Sequence, residues 1–304
     1  HDEFKLIQLW IKNLKEIIEK ESPQAIYIRR IVPLNPFLIH FLKWVRHKRI
    51  KIIYEYPTFP WKEEQKNSNK LFYYLDSLYF KTLVSIVDVI TYIGKYVGNN
   101  PKFCKINNAI DLDTVKLHKK RKSKDIALIG VAHIKYYHGF DRIIEGLRNY
   151  YKHDPLRKVV FHIVGNGDSE EIDRLEHMTE KYSLQNYVLF HGSQTGKKLD
   201  ELFEKSDIGV NSLGLFRIQK MSSDSLKSKE YIARGIPYIA AGDSAFNTKS
   251  LDFVFENEEN DNPINIEKIV KYYDEMESQP EQIRQFAVDH FQWKNEMKKP
   301  LVYL

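Results

Sequence analysis

One cysteine, Cys104, occurs in 304 residues, which excludes an internal disulfide and a thiolate metal cluster and points to a reducing, cytoplasmic setting. No apolar run approaches the ~20 residues that span a bilayer. His-Glu-x-x-His is missing, as is a Gly-x-Ser-x-Gly elbow, so the commonest zinc-peptidase and serine-hydrolase signatures have no carrier here. No metal ligand set stands out, and Asp111-Leu112-Asp113 reads as a loop feature beside a linker. Gly165-Asn166-Gly167 invites a dinucleotide reading, but Glu170 stands where the third glycine would be, and an isolated Gly-x-Gly carries little.

What is present is an ordinary globular composition, 42% hydrophobic and 29% charged, long enough for two domains of about 100–150 residues. The charge is uneven. The first 120 residues hold 21 Lys and Arg against 12 Asp and Glu, whereas the remainder holds 26 against 29. A basic half suits an anionic membrane surface, an anionic substrate or nucleic acid, or is a solvated surface. No nucleic-acid reader motif accompanies it, and nucleic acid is not expected as a partner.

Apolar strands alternate with amphipathic helical stretches. In the second half the strands are expected at 125–130, 158–165, 187–192, 207–212 and 236–241, each a short β-branched or apolar run. The stretch from Phe140 puts Phe140, Ile143, Ile144 and Leu147 on one helical face, and similar patterns start at Glu170 and Lys198. In the first half, strands at 25–30, 51–56, 88–94 and 103–110 alternate with helices at 6–20, 36–47 and 70–84. The polar run 116–125 is the expected linker. This pattern predicts two α/β domains with mostly parallel sheets facing a cleft, with ligands outside the carboxyl ends of the strands.

The segment Ser225–Gly242, "SLKSKEYIARGIPYIAAG", reads as a helix capped by Ser225, stopped at Gly235 and followed by Pro237. Lys227 and Lys229 in its first turn oppose the helix dipole. A phosphate at the exposed amides would relieve them, and Glu230, one turn in, could accept hydrogen bonds from a vicinal diol such as a ribose. Solvated charges on a capped helix are the plain alternative.

The run "SLKSKEYIARGIPYI" resembles the donor segment of GT-B glycosyltransferases of the family 4 type, in the branch that assembles capsular and exopolysaccharides. Similar runs follow that family's order: 126–147, 159–175, 187–213 and a terminal helix around 286–297. The resemblance implies two Rossmann-like domains, with residues 1–120 on the acceptor side, 121–283 binding donor and 284–304 crossing back. It implies a hexosyltransferase that uses a UDP- or GDP-sugar as co-substrate, with no covalent cofactor and no metal. It also implies retention, a glycan or lipid-linked acceptor, and a role in surface polysaccharide synthesis. Carried onto this sequence, Glu230 matches the ribose-binding glutamate. Ser222, Ser225, Leu226 and Lys227 fall along the diphosphate, where Ser223 could add a hydroxyl, while Gly165, Asn166, Gly167, Gly192 and Ser193 lie near the donor and its base.

There are departures. Ser222 stands where the first glutamate of a Glu-x7-Glu pair is usual, and Val131 and His138 replace the usual Arg and Lys of the first donor loop. Neutralisation of the diphosphate then falls to Lys135, His138, Arg217 and Lys227, of which His138, Arg217 and Lys227 are the catalytic candidates; His133 and His138 are alternatively surface histidines. The acceptor domain lacks its opening strands, and the chain starts His1-Asp2-Glu3 without methionine, so the N-terminal domain is expected to be incomplete. These departures leave open a non-catalytic subunit that binds nucleotide sugar. In the basic half, Phe41, Leu42, Trp44 and Val45 alternate with Lys43, Arg46, Lys48 and Arg49, suiting peripheral contact with anionic lipid or a core helix with a solvated basic face.

Overall fold

A computed structural model describes residues 2–60, 70–94, 96, 98–119, 123–218, 225–242, 248 and 251–304. The chain forms two compact units, His1–Asn107 with Lys294–Leu304, and Asn108–Trp293. Both carry parallel sheets flanked by helices, as the alternating pattern predicts.

In the first unit, strands β1 (Ala25–Arg29), β2 (Lys51–Phe59), β3 (Val89–Gly94) and β4 (Phe103–Lys105) lie in the order β1-β2-β3-β4, all parallel. Helices Asp2–Glu21, Pro36–His47 and Lys70–Ile86 connect or flank them. The Pro36–His47 helix starts sharply because Asn35 accepts from the Leu38 amide at 3.0 Å and Pro36 occupies the first turn, positions favoured by side-chain capping and by proline's fixed φ. Its Leu38, Phe41, Leu42 and Val45 face a core shared with Ile52, Tyr54, Tyr56 and Leu83. A buried pair, Arg30 to Asp76 at 2.8 Å, anchors the loop after β1, where the Leu34 amide also donates to Asp76.

In the second unit, β5 (Ile126–Val131), β6 (Val159–Val164), β7 (Val188–Phe190), β8 (Ile208–Val210), β9 (Tyr238–Ala240) and β10 (Val254–Glu256) form one parallel sheet of order β10-β9-β8-β5-β6-β7. The chain runs outward from β5 to β7, then returns to β8 and runs the other way. The order therefore reverses between β5 and β8, the position where doubly wound sheets open a ligand crevice. The Phe140–Tyr151 helix buries Phe140, Ile143, Ile144 and Leu147, as its spacing predicts, against Leu128, Phe161 and Ile208. Ile129, Val164, Phe203, Tyr231 and Ile232 fill the other face.

The differences from the sequence reading have local causes. The expected strand 103–110 is paired only over Phe103–Lys105, because the chain then leaves β3 and Ile110 pairs with Gln292 instead. Residues from Asn108 pack with the second unit, where Arg284 donates to the carbonyls of Leu112, Val115 and Ala233 at 2.7, 2.8 and 2.7 Å. The returning terminal segment begins at Lys294, and within the first unit Glu296 accepts from the Asn107 amide at 2.8 Å. Among the described residues no helix is long and apolar enough to cross a membrane.

Candidate functional site

The two strands at the switch point end in loops that meet. After β5 the chain forms a short 3-10 turn at Tyr136–His138, and after β8 it passes through Asn211, Ser212 and Leu213. The Leu213 amide donates to the His138 carbonyl at 2.9 Å. Gly139, at φ +66°, lies so close to the Leu213 backbone that a Cβ there would stand 2.9 Å from the Leu213 carbonyl carbon. Only glycine combines that left-handed backbone with that approach.

Helix Leu226–Ala233 starts beside these loops. Ser225 caps it, accepting from the Lys227 amide at 3.2 Å and donating to Asn211 Oδ1 at 3.3 Å. Lys227 extends toward β8, its Nζ donating to Ser212 Oγ at 2.9 Å. The two lysines of the first turn thus diverge. Lys229 is buried, donates to the Asn108 carbonyl and lies 5.7 Å from the Phe291 ring centroid, so it ties the 108 segment to the helix. Leu226 is exposed.

His138 is buried, and its Nδ1 accepts from the Lys135 amide at 3.0 Å. Burial, reinforced by the nearby Lys227 ammonium, pushes its pKa down to about 3. The ring is neutral at physiological pH, with the proton on Nε2 because Nδ1 is an acceptor. The neutral His138 ring brings no charge of its own to the site, where the sequence reading expected a cation; it can donate one hydrogen bond. His133 is exposed. Lys135 is partly exposed, its Nζ 3.9 Å from Asp168.

Arg217 is held within the protein. Its guanidinium meets both oxygens of Asp141 at 2.9 Å, bonds Asp261 at 2.7 Å and stacks on Tyr136 at 4.3 Å. Its role is to fasten the 215–218 turn to the Phe140–Tyr151 helix, which removes it from the cations available to a ligand. Arg142 braces the same region, donating to the carbonyls of Leu213, Glu258 and Asn262.

Glu230 is ion-paired within the protein. Its Oε1 accepts from Arg234 Nε at 3.1 Å and from its terminal nitrogen at 2.9 Å, while Arg234 also pairs with Asp200 at 2.9 Å. The Glu230 side chain remains 29% exposed. Arg234 follows Glu230 by four residues, a spacing that brings side chains together on a helix; Asp200 comes from the Gly196–Glu204 helix and had no sequence signal.

Gly165, Asn166 and Gly167 sit at the carboxyl end of β6, but their glycines serve loop packing. A Cβ on Gly165 would stand 1.8 Å from the Ala132 carbonyl oxygen, and one on Gly167 would stand 2.0 Å from that of Ile134. The Ile134 amide donates to Asn166 and the Gly165 amide to Gly192, at 2.8 Å each. Gly192, at φ +61°, and exposed Ser193 adjoin this loop after β7. Ser222 and Ser223 lie outside the described residues.

The family model "Glycosyl transferases group 1" matches residues 113–287. The chain belongs to that family. No curated protein sequence matches it. Similar solved structures include a glycosyltransferase from Rickettsia africae (TM-score 0.65, 15% identity, covering 96% of this chain and 79% of that one). Sucrose-phosphate synthase from Thermosynechococcus elongatus aligns at TM-score 0.65 and 14% identity, over 99% and 78% of the two chains. Anabaena HepE, solved in complex with UDP-glucose, aligns at 0.62 and 13%, over 96% and 80%. At these identities the likeness is one of fold, that of GT-B glycosyltransferases with two parallel-sheet domains.

Proposed function

We propose that this glycosyltransferase binds a uridine or guanosine diphosphate sugar at the β5–β8 switch point and transfers the sugar to a hydroxyl of a glycan or lipid-linked acceptor. The observation that carries the reading is the meeting of Lys227, the Ser225-capped helix start and the neutral His138 at that crevice. A fold shared with a protein solved in complex with UDP-glucose supports it.

In the reaction, the bond from the anomeric carbon to the diphosphate oxygen breaks and the nucleoside diphosphate leaves with the electron pair. The acceptor oxygen bonds the same carbon on the same face, its proton passing to the departing phosphate oxygen, which retains configuration. Negative charge grows on that phosphate. Lys227 and helix amides stabilise it, since fixed donors aimed at developing charge lower the barrier. His138 donates from Nε2 to a sugar or phosphate oxygen, and Lys135 adds a second cation. Glu230 holds the ribose, and Gly192 with Ser193 border the base. No step requires a metal.

We assign the acceptor to surface polysaccharide synthesis with a peripheral membrane contact. The 41–51 segment is a poor carrier of that contact: Phe41, Leu42 and Val45 are buried, and Trp44 stacks on Phe41 at 6.1 Å with Lys15 and Lys48 over its ring. The Asp2–Glu21 helix suits it better, exposing Leu6, Leu9 and Ile17 at 64%, 57% and 54% beside its lysines.

Calorimetric titration of UDP, GDP and UDP-glucose tests the donor site. Glu230→Ala should weaken the best of these by about tenfold or more, the size expected for a lost hydrogen bond to a charged group. Equal affinity in both proteins removes Glu230 from the site. The engagement of Arg217 by Asp141 favours a second reading, a subunit that binds donor without transferring it; donor binding with no UDP released in the presence of acceptor would establish that reading instead.

A further inference from the structure

We propose that Arg234 is a positioning residue that commits one oxygen of Glu230 to the protein, so that the donor's ribose is recognised through a single hydroxyl. This rests on the reading that Glu230 meets the ribose. A carboxylate can accept from both hydroxyls of a vicinal diol when its two oxygens are free. Here Oε1 already accepts two N–H groups, from Nε and a terminal nitrogen of Arg234. Each carboxylate oxygen offers about two lone-pair positions, so Oε1 is saturated and Oε2 alone is left for a ligand; the two neighbouring ribose hydroxyls subtend too narrow an angle at one oxygen to align with both of its diverging lone pairs, so one of them takes the well-directed bond.

The arrangement is rigid because Arg234 is fixed on every side. Its side chain is 7% exposed, its other terminal nitrogen meets Asp200 at 2.9 Å, and its guanidinium carbon lies 4.0 Å from the Phe203 ring centroid. Its backbone is fixed as well, with the amide donating to Glu230 at 2.9 Å and the carbonyl accepting from His118 at 2.7 Å. Rotating Glu230 to offer both oxygens would leave a buried guanidinium short of partners, which is costly. The fork of arginine is what occupies both acceptor positions of one oxygen; lysine presents a point charge without that geometry.

The test compares UDP with 2′-deoxy-UDP and 3′-deoxy-UDP by calorimetry on the full chain, with the GDP series in parallel. In the wild type, removing one hydroxyl should cost about tenfold or more and removing the other less than about twofold. Arg234→Met keeps an unbranched side chain against Phe203 and frees Oε1, so the two deoxy compounds should converge. Should Arg234→Met melt early, Arg234→Lys serves instead, and the gap between the two compounds should narrow. Equal losses for the two deoxy compounds in the wild type, or an unchanged gap in a folded Arg234 variant, would overturn the proposal while leaving Glu230 at the ribose. Failure of both nucleotide series to bind, or Glu230→Ala binding as tightly as the wild type, overturns the parent reading as well.

Discussion

The carboxyl ends of the two sheets are built from opposite materials. In the first unit, β2 and β3 end among rings: Phe59 lies 5.8 Å from Tyr92 and 5.7 Å from Tyr96, and Tyr96 stacks on Phe103 at 4.2 Å. Gly94, at φ +120°, lets the chain pass so close that a Cβ would stand 2.1 Å from the Phe59 carbonyl oxygen. In the second unit, β5 and β8 end in hydroxyl, amide, imidazole and ammonium groups that converge on the switch point. The strand topology is parallel in both, so direction alone does not make a polar ligand site; the side chains at the loop starts decide it. Charge counted along the sequence misleads in the same way, because the more basic half is not where Lys227 and His138 converge.

Four measurements would break or sharpen that contrast. The largest effect should come from the packed unit. Asp76→Ala leaves Arg30 buried beside an empty position and should cost about 3–5 kcal/mol of stability, read by urea unfolding, with nucleotide affinity unchanged; a loss of affinity would mean the units are not separable in function.

Next comes His138. Its folded pKa of about 3 lies below the ordinary histidine value of 6.5, so between those limits the unfolded chain binds the extra proton. Its contribution is present above pH 6.5 and is lost as pH falls toward 3, at about 1.4 kcal/mol per unit. The difference in stability between wild type and His138→Gln, followed from pH 7 to pH 4 by urea unfolding, should shrink by about 3 kcal/mol. A constant difference would place the imidazole in water.

Lys227→Ala should weaken nucleotide diphosphate binding by about tenfold while moving stability by less than about 1 kcal/mol, the reverse of the Asp76 pattern; calorimetry and melting read the two effects. The smallest effect belongs to Lys135→Ala. Its pair with Asp168 is exposed and 3.9 Å long, worth under about 0.5 kcal/mol, so only binding measured at low salt should register it.

Much of the fold was legible because period-2 and period-3.6 patterns are local. The Phe140 stretch shows its buried face in four residues, and the helix expected at 36–47 is found at Pro36–His47. What the sequence reading lacks is short or distant, apart from the helix Ile266–Glu275, whose buried Ile266, Ile269 and Tyr273 do carry a helical period. Val254–Glu256 offers three residues of pattern, too few to separate a strand from a loop. Within the candidate site, Glu230 and Lys227 could be singled out because a helix start has a local grammar of cap, charge and stop. The braces around them could not: Asp200 reaches Arg234 from thirty-four residues upstream, and Asp141 reaches Arg217 across a separation of 76. The neutrality of His138 is likewise a property of burial, which no spacing encodes.

Tyr231 follows Glu230 on the same helix and points the other way, into the sheet. Its ring lies over Gly209, where a Cβ would come 2.5 Å from it, and its hydroxyl accepts from the Val131 amide at 3.3 Å and donates to the Val210 carbonyl at 3.0 Å. One phenol thus rivets the ends of β5 and β8 to the helix that bears the carboxylate. A molecule that steadies this helix must also steady those strand ends, so its arrival should slow deuterium uptake at the Val131 amide, which donates to that phenol.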